Sequence, residues 1–330
     1  GLGHGLLALA KVCEALGRDC ASTSICFGMH AVAAAVIAAK ATATQSREFL
    51  SSIAEGDHIT SLALSEPGTG TNFYYPQTRL SQSESSHLVL SGTKCFVTNG
   101  GHANSYVVST VSADPTAPPG HFSCVVLPAN SKGMAWGPAW TGMGMRGNSS
   151  RSLELQDVLI PKENLLGNEG DQIWYVFNVI TPYFLVAMAG TYLGLASAAF
   201  DEAAAHVKER RHAHTGTLLA QNRIVQHRLG TLWANVGRAR ALLHHSAAKG
   251  DAGDSDALPG LFSSKANVAE CAVEVVGQAM ALSGGRGYRS DSRLHRMLRD
   301  VQASHIMAPT TDTLRSWTGR ALLGLPILSD

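Results

Sequence analysis

The amino-acid sequence reads as an α+β composite in the order helices, strands, helices, and three changes of texture along the chain predict it. Residues 1–58 are Ala-rich and apolar with a helical period. Residues 59–167 switch to β-branched, alternating runs separated by Gly, Pro, Asn and Ser. Residues 168–330 return to long helical patterns. Strands grouped together between two helical regions argue against a βαβ fold and for a central antiparallel β-domain, a sandwich or barrel.

In the first region, GLLALAKVCEALGRDCAS, HAVAAAVIAAKATA and TQSREFLSSIAEG are the helical phrases, and Gly17 and Gly56 stand where helix stops are expected. In the second, HITSLALSEPGTG, HLVLSGTKCFVTNGG, SYVVSTVSA, FSCVVLPA and RSLELQDVLI are the strand phrases. The third contains YLGLASAAFDEAAAHVKERR, QNRIVQHRLGTLWANVGRARALLHHSAAKG and SSKANVAECAVEVVGQAMALSGG, with DAGDSDALP at 251–259 as a polar linker.

Composition narrows the function. With 26 Lys and Arg against 25 Asp and Glu the net charge is +1, which gives no field to attract nucleic acid or an anionic membrane. Only 15% of the 330 residues are charged, against about 25% in an average soluble chain. That shortage of solvated surface predicts faces buried in an oligomer. The 6 cysteines form no CxxC and have no His at zinc spacing, so they read as free thiols in a reducing, cytoplasmic compartment, with no metal site. From Trp174 to Phe200 no residue is charged, a stretch longer than the ~20 residues of a spanning helix. Asn178, Thr181, Pro182 and Thr191 interrupt it and acidic residues flank it, which favours a helix buried in a bundle core. The chain opens without Met, so a further N-terminal stretch is expected.

Two glycine phrases invite a nucleotide-binding reading, and both fail it. SEPGTGTN lacks the Lys-Ser/Thr of a phosphate-binding loop. GMGMRGNSS has GxGxxG spacing but leads into a strand where a dinucleotide-binding turn would open a helix.

Five separated motifs, in order, give the chain a resemblance to the acyl-CoA dehydrogenase superfamily of flavoproteins. ALGRDCAST resembles a helix of its N-terminal domain; LALSEPGTGTN resembles its T-E-P-x-x-G-S-D loop; GTKCFVTNGGHAN resembles its G-x-K-x-W-I-T-N strand pair. GMGMRGNSSRSLELQDVLIPKENLLG resembles the segment closing its β-domain, and SGGRGYRSDSRLHRMLRD its glycine turn followed by R-x-x-R-D. The resemblance implies a helical N-terminal domain, a central β-domain and a C-terminal four-helix bundle. It also implies FAD, with FMN a lesser alternative, a CoA or carrier-protein thioester as substrate, a homodimer or homotetramer, and an electron-transfer partner or flavin reductase.

Carried over position by position, the resemblance implies that Leu62, Leu64 and Ser65 line the isoalloxazine, with Phe96 in place of the usual Trp and Thr98 at the hydrogen-bonding Thr. Arg210 would reach the pyrophosphate of a neighbouring subunit's FAD, where two negative charges suit a guanidinium. Gly284, Gly285 and Gly287 would form the glycine-rich turn on the same cofactor, and Thr310 and Asp312 would lie near its adenosine half. Gly70, Thr71, Tyr74, Phe184 and Ala308 would line the substrate pocket, although Tyr74 and Tyr75 could equally pack the β-domain. Arg299 and Asp300 read as an ion pair or helix cap.

One family feature is missing. The Glu that takes the substrate's α-proton falls at Ala308 in HIMAPTTDTLR, and the alternative base position on the long bundle helix falls at Phe184. The first reading of the reaction is therefore an O2-using oxygenase or oxidase, whose chemistry needs no α-proton base. A second keeps dehydrogenation with the base relocated to His305 or Asp312, both expected on one helical run with Ala308. A third is a non-catalytic assembly subunit.

Overall fold

A computed structural model describes residues 3–83 and 86–328. The N-terminal helices are α1 (Leu6–Asp19), α2 (Ala21–Ala39), α3 (Ala43–Gln45) and α4 (Ser51–Glu55). The strands follow as β1 (Thr60–Ala63), β2 (Arg79–Gln82), β3 (His87–Val97), β4 (Ser105–Ser112), β5 (Phe122–Pro128), β6 (Met134–Trp136), β7 (Arg151–Pro161) and β8 (Leu165–Leu166). The C-terminal helices are α5 (Gln172–Tyr175), α6 (Thr181–Glu209), α7 (Arg223–Asp251), α8 (Ala257–Tyr288), α9 (Arg293–Val301), α10 (Ala303–Ile306) and α11 (Thr311–Leu322). The polar phrase after residue 251 does separate α7 from α8.

The chain forms two compact units. One contains Ile25–Thr141 and Arg146–Phe184; the other contains His4–Ser24, Gly142–Met145 and the helices from Leu185 onward. Thus α1 belongs with the C-terminal helices, whereas most of α2 and all of α3 and α4 belong with the sheet.

In the sheet unit the strands run in the order β6-β7-β3-β2-β4-β5-β8, with β1 added on β4. The sheet is mainly antiparallel, but β1 and β2 both pair with β4 in parallel. The wholly antiparallel expectation missed these two because direction depends on how the chain returns between strands, which alternation does not encode. Leu88, Leu90, Tyr106, Val125, Leu127, Leu153 and Ile160 sit at the centre of its core.

The helical unit is organised by close backbone approach. A side chain added at Gly17, Gly190 or Gly194 would collide with the backbone of Thr191, Ala10 and Glu14 respectively, so α1 and α6 cross with no side chain between them. Gly17 therefore lies inside α1 as a packing residue and does not stop it, whereas Gly56, at φ 88°, does end α4. Asp251, the last residue of α7, accepts the Leu6 N–H at 2.5 Å and the Leu7 N–H at 3.0 Å and so caps α1 from another helix. The charge-free stretch lies in a helix, Gln172–Glu209, that is long and apolar enough to cross a membrane, as is α2. The most apolar window of the former is 83% buried within the protein.

Candidate cofactor and catalytic site

In the sheet unit the predicted isoalloxazine residues converge at the ends of β1 and β3. Leu62 and Leu64 are buried, and the Cys95 N–H donates to the Ser65 carbonyl at 2.8 Å, which joins the loop after β1 to β3. Thr98 is buried and its carbonyl accepts the Ser61 hydroxyl at 2.8 Å. The ladder between β3 and β7 shifts register between Lys94 and Val97, a bulge that turns Phe96 out of the pleat. Phe96 has φ 55°, rare for an aromatic residue, and is 63% exposed with its ring edge-on to Trp140 at 6.0 Å. Such backbone strain at an exposed aromatic residue is a feature that clusters at ligand sites. Trp140 was not singled out by the sequence, since its approach to Phe96 depends on the bulge.

The loop is fixed by a pair the sequence reading also passed over. Lys94 is fully buried and donates to Glu66 Oε1 at 2.5 Å, to the Ser109 carbonyl at 2.6 Å and to the Leu64 carbonyl at 3.4 Å. Glu66 further accepts the Gln77 N–H, the Thr78 N–H and the Thr78 hydroxyl at 2.6, 3.0 and 2.7 Å. Burial pushes the Glu66 carboxyl up, but the Lys94 charge and the bonds from Lys94 and Thr78 hold it below its usual value. Of the predicted pocket residues here, Gly70 has φ 53° and open space where a side chain would be, and Thr71 and Phe184 are half-buried. Tyr74 is buried, its hydroxyl donates to Asn72 Oδ1 at 3.0 Å, and its ring meets Phe73 and Tyr75, so it packs the β-domain.

In the helical unit Arg210 and Gly284–Gly285, far apart in sequence, line one cavity of about 680 Å³ with His206, Glu209, His212, Ser283 and Arg286. Gly284 breaks the helical geometry of α8 with φ 55° and ψ −144°. Nothing lies within 4 Å of where a side chain at Gly284 or Gly285 would start, so the backbone is open to a ligand. Gly287 differs: it is buried, and a side chain there would press on Ser283 and Leu294, so it packs the helix end and does not border the cavity.

The cavity fits a phosphate-bearing group. His206 Nδ1 and Ser283 Oγ are buried without a hydrogen-bond partner, and burial followed by the charges of Arg286 and Arg210 pulls the His206 pKa down, the mark of an electropositive site. Arg286 lies 3.8 Å from the Glu209 carboxylate, and Arg210 Nη1 donates to the Arg211 carbonyl.

The segment carrying Ala308 departs from the sequence expectation. His305 is in α10, the chain becomes extended at Met307 (ψ 120°), and α11 opens only at Thr311, so His305, Ala308 and Asp312 do not share a helical run. Ala308 precedes Pro309, and a residue before proline is driven out of the helical region. His305 is half-buried with Nδ1 3.0 Å from Thr311 Oγ1. Thr310 caps α11, its hydroxyl accepting the Thr313 N–H at 3.3 Å, while Asp312 is exposed in the first turn, where a carboxylate complements the helix dipole. These roles explain Thr310 and Asp312 without the adenosine contacts the resemblance implied. Arg299 and Asp300 do not cap α9. Arg299 donates to the Met143 carbonyl at 3.0 Å and Asp300 accepts the Met145 N–H at 2.7 Å, which fastens the 142–145 loop.

Comparison with known proteins identifies the family. The acyl-CoA dehydrogenase N-terminal, middle and C-terminal domain models match residues 1–57, 61–158 and 183–323. The chain is 30% identical to cyclohex-1-ene-1-carbonyl-CoA dehydrogenase of Geobacter metallireducens over 97% of its length and 83% of the relative's. It is 29% identical to the short-chain specific acyl-CoA dehydrogenase of Clostridium acetobutylicum, over 94% and 81%. Its fold superposes on butyryl-CoA dehydrogenase from Megasphaera elsdenii with a TM-score of 0.89 and 27% identity, covering 94% of this chain and 80% of the other. The chain belongs to the acyl-CoA dehydrogenase family, whose members are flavin-dependent oxidoreductases.

Proposed function

We propose that the protein is an FAD-dependent dehydrogenase of a CoA or carrier-protein thioester in which His305 replaces the family's glutamate as the proton acceptor. The observation that carries this reading is the His305 ring, half-buried and fixed through Nδ1 by Thr311 Oγ1, beside a position 308 that has no carboxylate. With Nδ1–H donating to Thr311, Nε2 presents its lone pair and can take the α-proton of the substrate; an acceptor held this way contributes roughly 10²–10⁴ in rate. Asp312 is the weaker candidate because it is exposed and complements the α11 dipole.

FAD, when bound, accepts the hydride from the substrate β-carbon. Leu62, Leu64, Ser65, Phe96 and Thr98 are the residues that would hold its ring, and Arg210 with the Gly284–Gly285 backbone would meet the pyrophosphate of a neighbouring subunit's FAD. If so, Arg210→Ala weakens FAD binding roughly 10- to 150-fold, the size of a lost charge-assisted hydrogen bond, as measured by titrating apoprotein with FAD. Gly70, Thr71 and Phe184 would border the acyl chain. A homo-oligomer, an electron-transfer partner and a cytoplasmic setting belong to the same reading. The relatives named as dehydrogenases support it.

A second reading, an O2-using oxygenase or oxidase, is favoured by Ala308 itself, which cannot take a proton. Anaerobic mixing of the flavin-loaded protein with acyl-CoAs of graded chain length separates the two. Bleaching of the flavin with an enoyl thioester as product supports dehydrogenation. No bleaching, with an oxygenated product once the flavin is chemically reduced and O2 is admitted, supports the second reading.

A further inference from the structure

Lys265 lies in the first third of α8 and is 1% exposed. Its ammonium donates to three backbone carbonyls, Ser304 at 2.8 Å, Pro309 at 2.9 Å and Met307 at 3.2 Å. All three belong to the segment where α10 ends, the chain turns extended and α11 has not begun. A segment between two helices has orphan carbonyls that secondary structure cannot satisfy, and a Lys with three N–H donors matches three of them. Among the described residues no carboxylate pairs with Lys265, so its buried charge is balanced by carbonyl dipoles. Maintaining such a charge is costly, and its burial draws the ammonium down to about 7. A weaker contact also fixes the turn: the Tyr192 hydroxyl donates to Met307 sulfur at 3.1 Å.

We infer that Lys265 is a positioning residue that holds the Ser304–Pro309 turn, and with it His305 and the surface at Ala308, in the geometry used by the reaction. It cannot be the proton acceptor itself, because all three donors point into carbonyls and the side chain is sealed from substrate. The inference rests on the assignment of His305 only for its catalytic consequence; the holding role stands apart from it.

The test uses the flavin-loaded full chain with Lys265→Met and Lys265→Gln, the amide retaining two N–H donors in case the Met variant fails to fold. Hydrogen–deuterium exchange is read peptide by peptide. The expected result is at least a roughly tenfold faster exchange confined to residues 303–314 in Lys265→Met, partly restored in Lys265→Gln. In turnover the limiting rate of flavin reduction falls at least roughly tenfold while substrate affinity shifts less than threefold, the pattern of lost geometry without lost binding. Unchanged exchange at 303–314, or an equal rise throughout the helical unit, would overturn the holding role. Altered exchange with an unaltered limiting rate would leave the turn held by Lys265 and remove its part in catalysis. If the wild type reduces no thioester, the His305 assignment fails and the exchange result still decides the holding role.

Discussion

Each unit of the protein buries one lysine under a segment of the candidate site, and the two are secured differently. Lys94 in the sheet unit has a counter-ion: Glu66 lies 2.5 Å away and is itself hydrogen-bonded to the 77–78 backbone. Lys265 in the helical unit has three carbonyls. The segment held by Lys94 carries the positions to which the resemblance assigns the flavin ring, whereas the segment held by Lys265 carries Ala308, where the resemblance expects a glutamate. An ion pair with saturated hydrogen bonds makes a fixed platform. An ammonium held by carbonyls makes a support whose charge depends on pH.

The largest expected effect tests the ion pair. Lys94→Met strands Glu66 as a buried, uncompensated carboxylate and costs about 3–5 kcal/mol, read by urea unfolding. A loss below about 1 kcal/mol would mean that the pair is not what secures the flavin loop. Glu66 titrates below its usual value in the fold, so the stability it contributes is present above the unfolded carboxylate pKa near 4.5 and is lost as pH falls through its folded pKa.

Lys265 gives a slope of the same sign over a higher pH range. Folded, it sheds its proton near 7; unfolded, it keeps it to about 10.5. Between those values the unfolded chain binds more protons, so stability rises with pH. Burial alone sets this shift, with no contribution from Asp300, His305 or Asp312 on the adjoining helices. The stability of wild type relative to Lys265→Met should therefore climb from pH 7 to 10, measured as the difference in urea unfolding free energy. A flat difference would place Lys265 outside this account.

The smallest effect sharpens the reading of the flavin segment. Phe96→Asn relieves about 1–2 kcal/mol of backbone strain at φ 55° and forfeits about 0.5–1.5 kcal/mol of edge-on contact with Trp140. Stability should barely move while the visible flavin spectrum shifts. A large stability loss would mean that Phe96 is a core residue.

The order of helices and strands was legible because periodicity and turn residues are local signals. Short motifs also carried one juxtaposition: Arg210 and Gly284–Gly285 were named from separate phrases and border one cavity. What could not be read depends on pairings across the chain. Lys94 and Glu66 lie on different segments, the three carbonyls on Lys265 are backbone groups invisible to a side-chain pattern, and Gly17 has the same letter whether it stops a helix or lets another cross it. The break after His305 was readable in principle, since Pro309 forbids a helical Ala308, and the single helical run assumed there overlooked it.

The most direct test of the central claim, that the proton acceptor has moved from position 308 to His305, is anaerobic flavin reduction by an acyl-CoA in wild type and His305→Gln. The account predicts that the wild-type flavin bleaches and that the variant, with FAD bound and fold intact, does so at least about 100-fold more slowly. Equal rates in the two proteins, or a wild-type flavin that no acyl-CoA reduces, would contradict it.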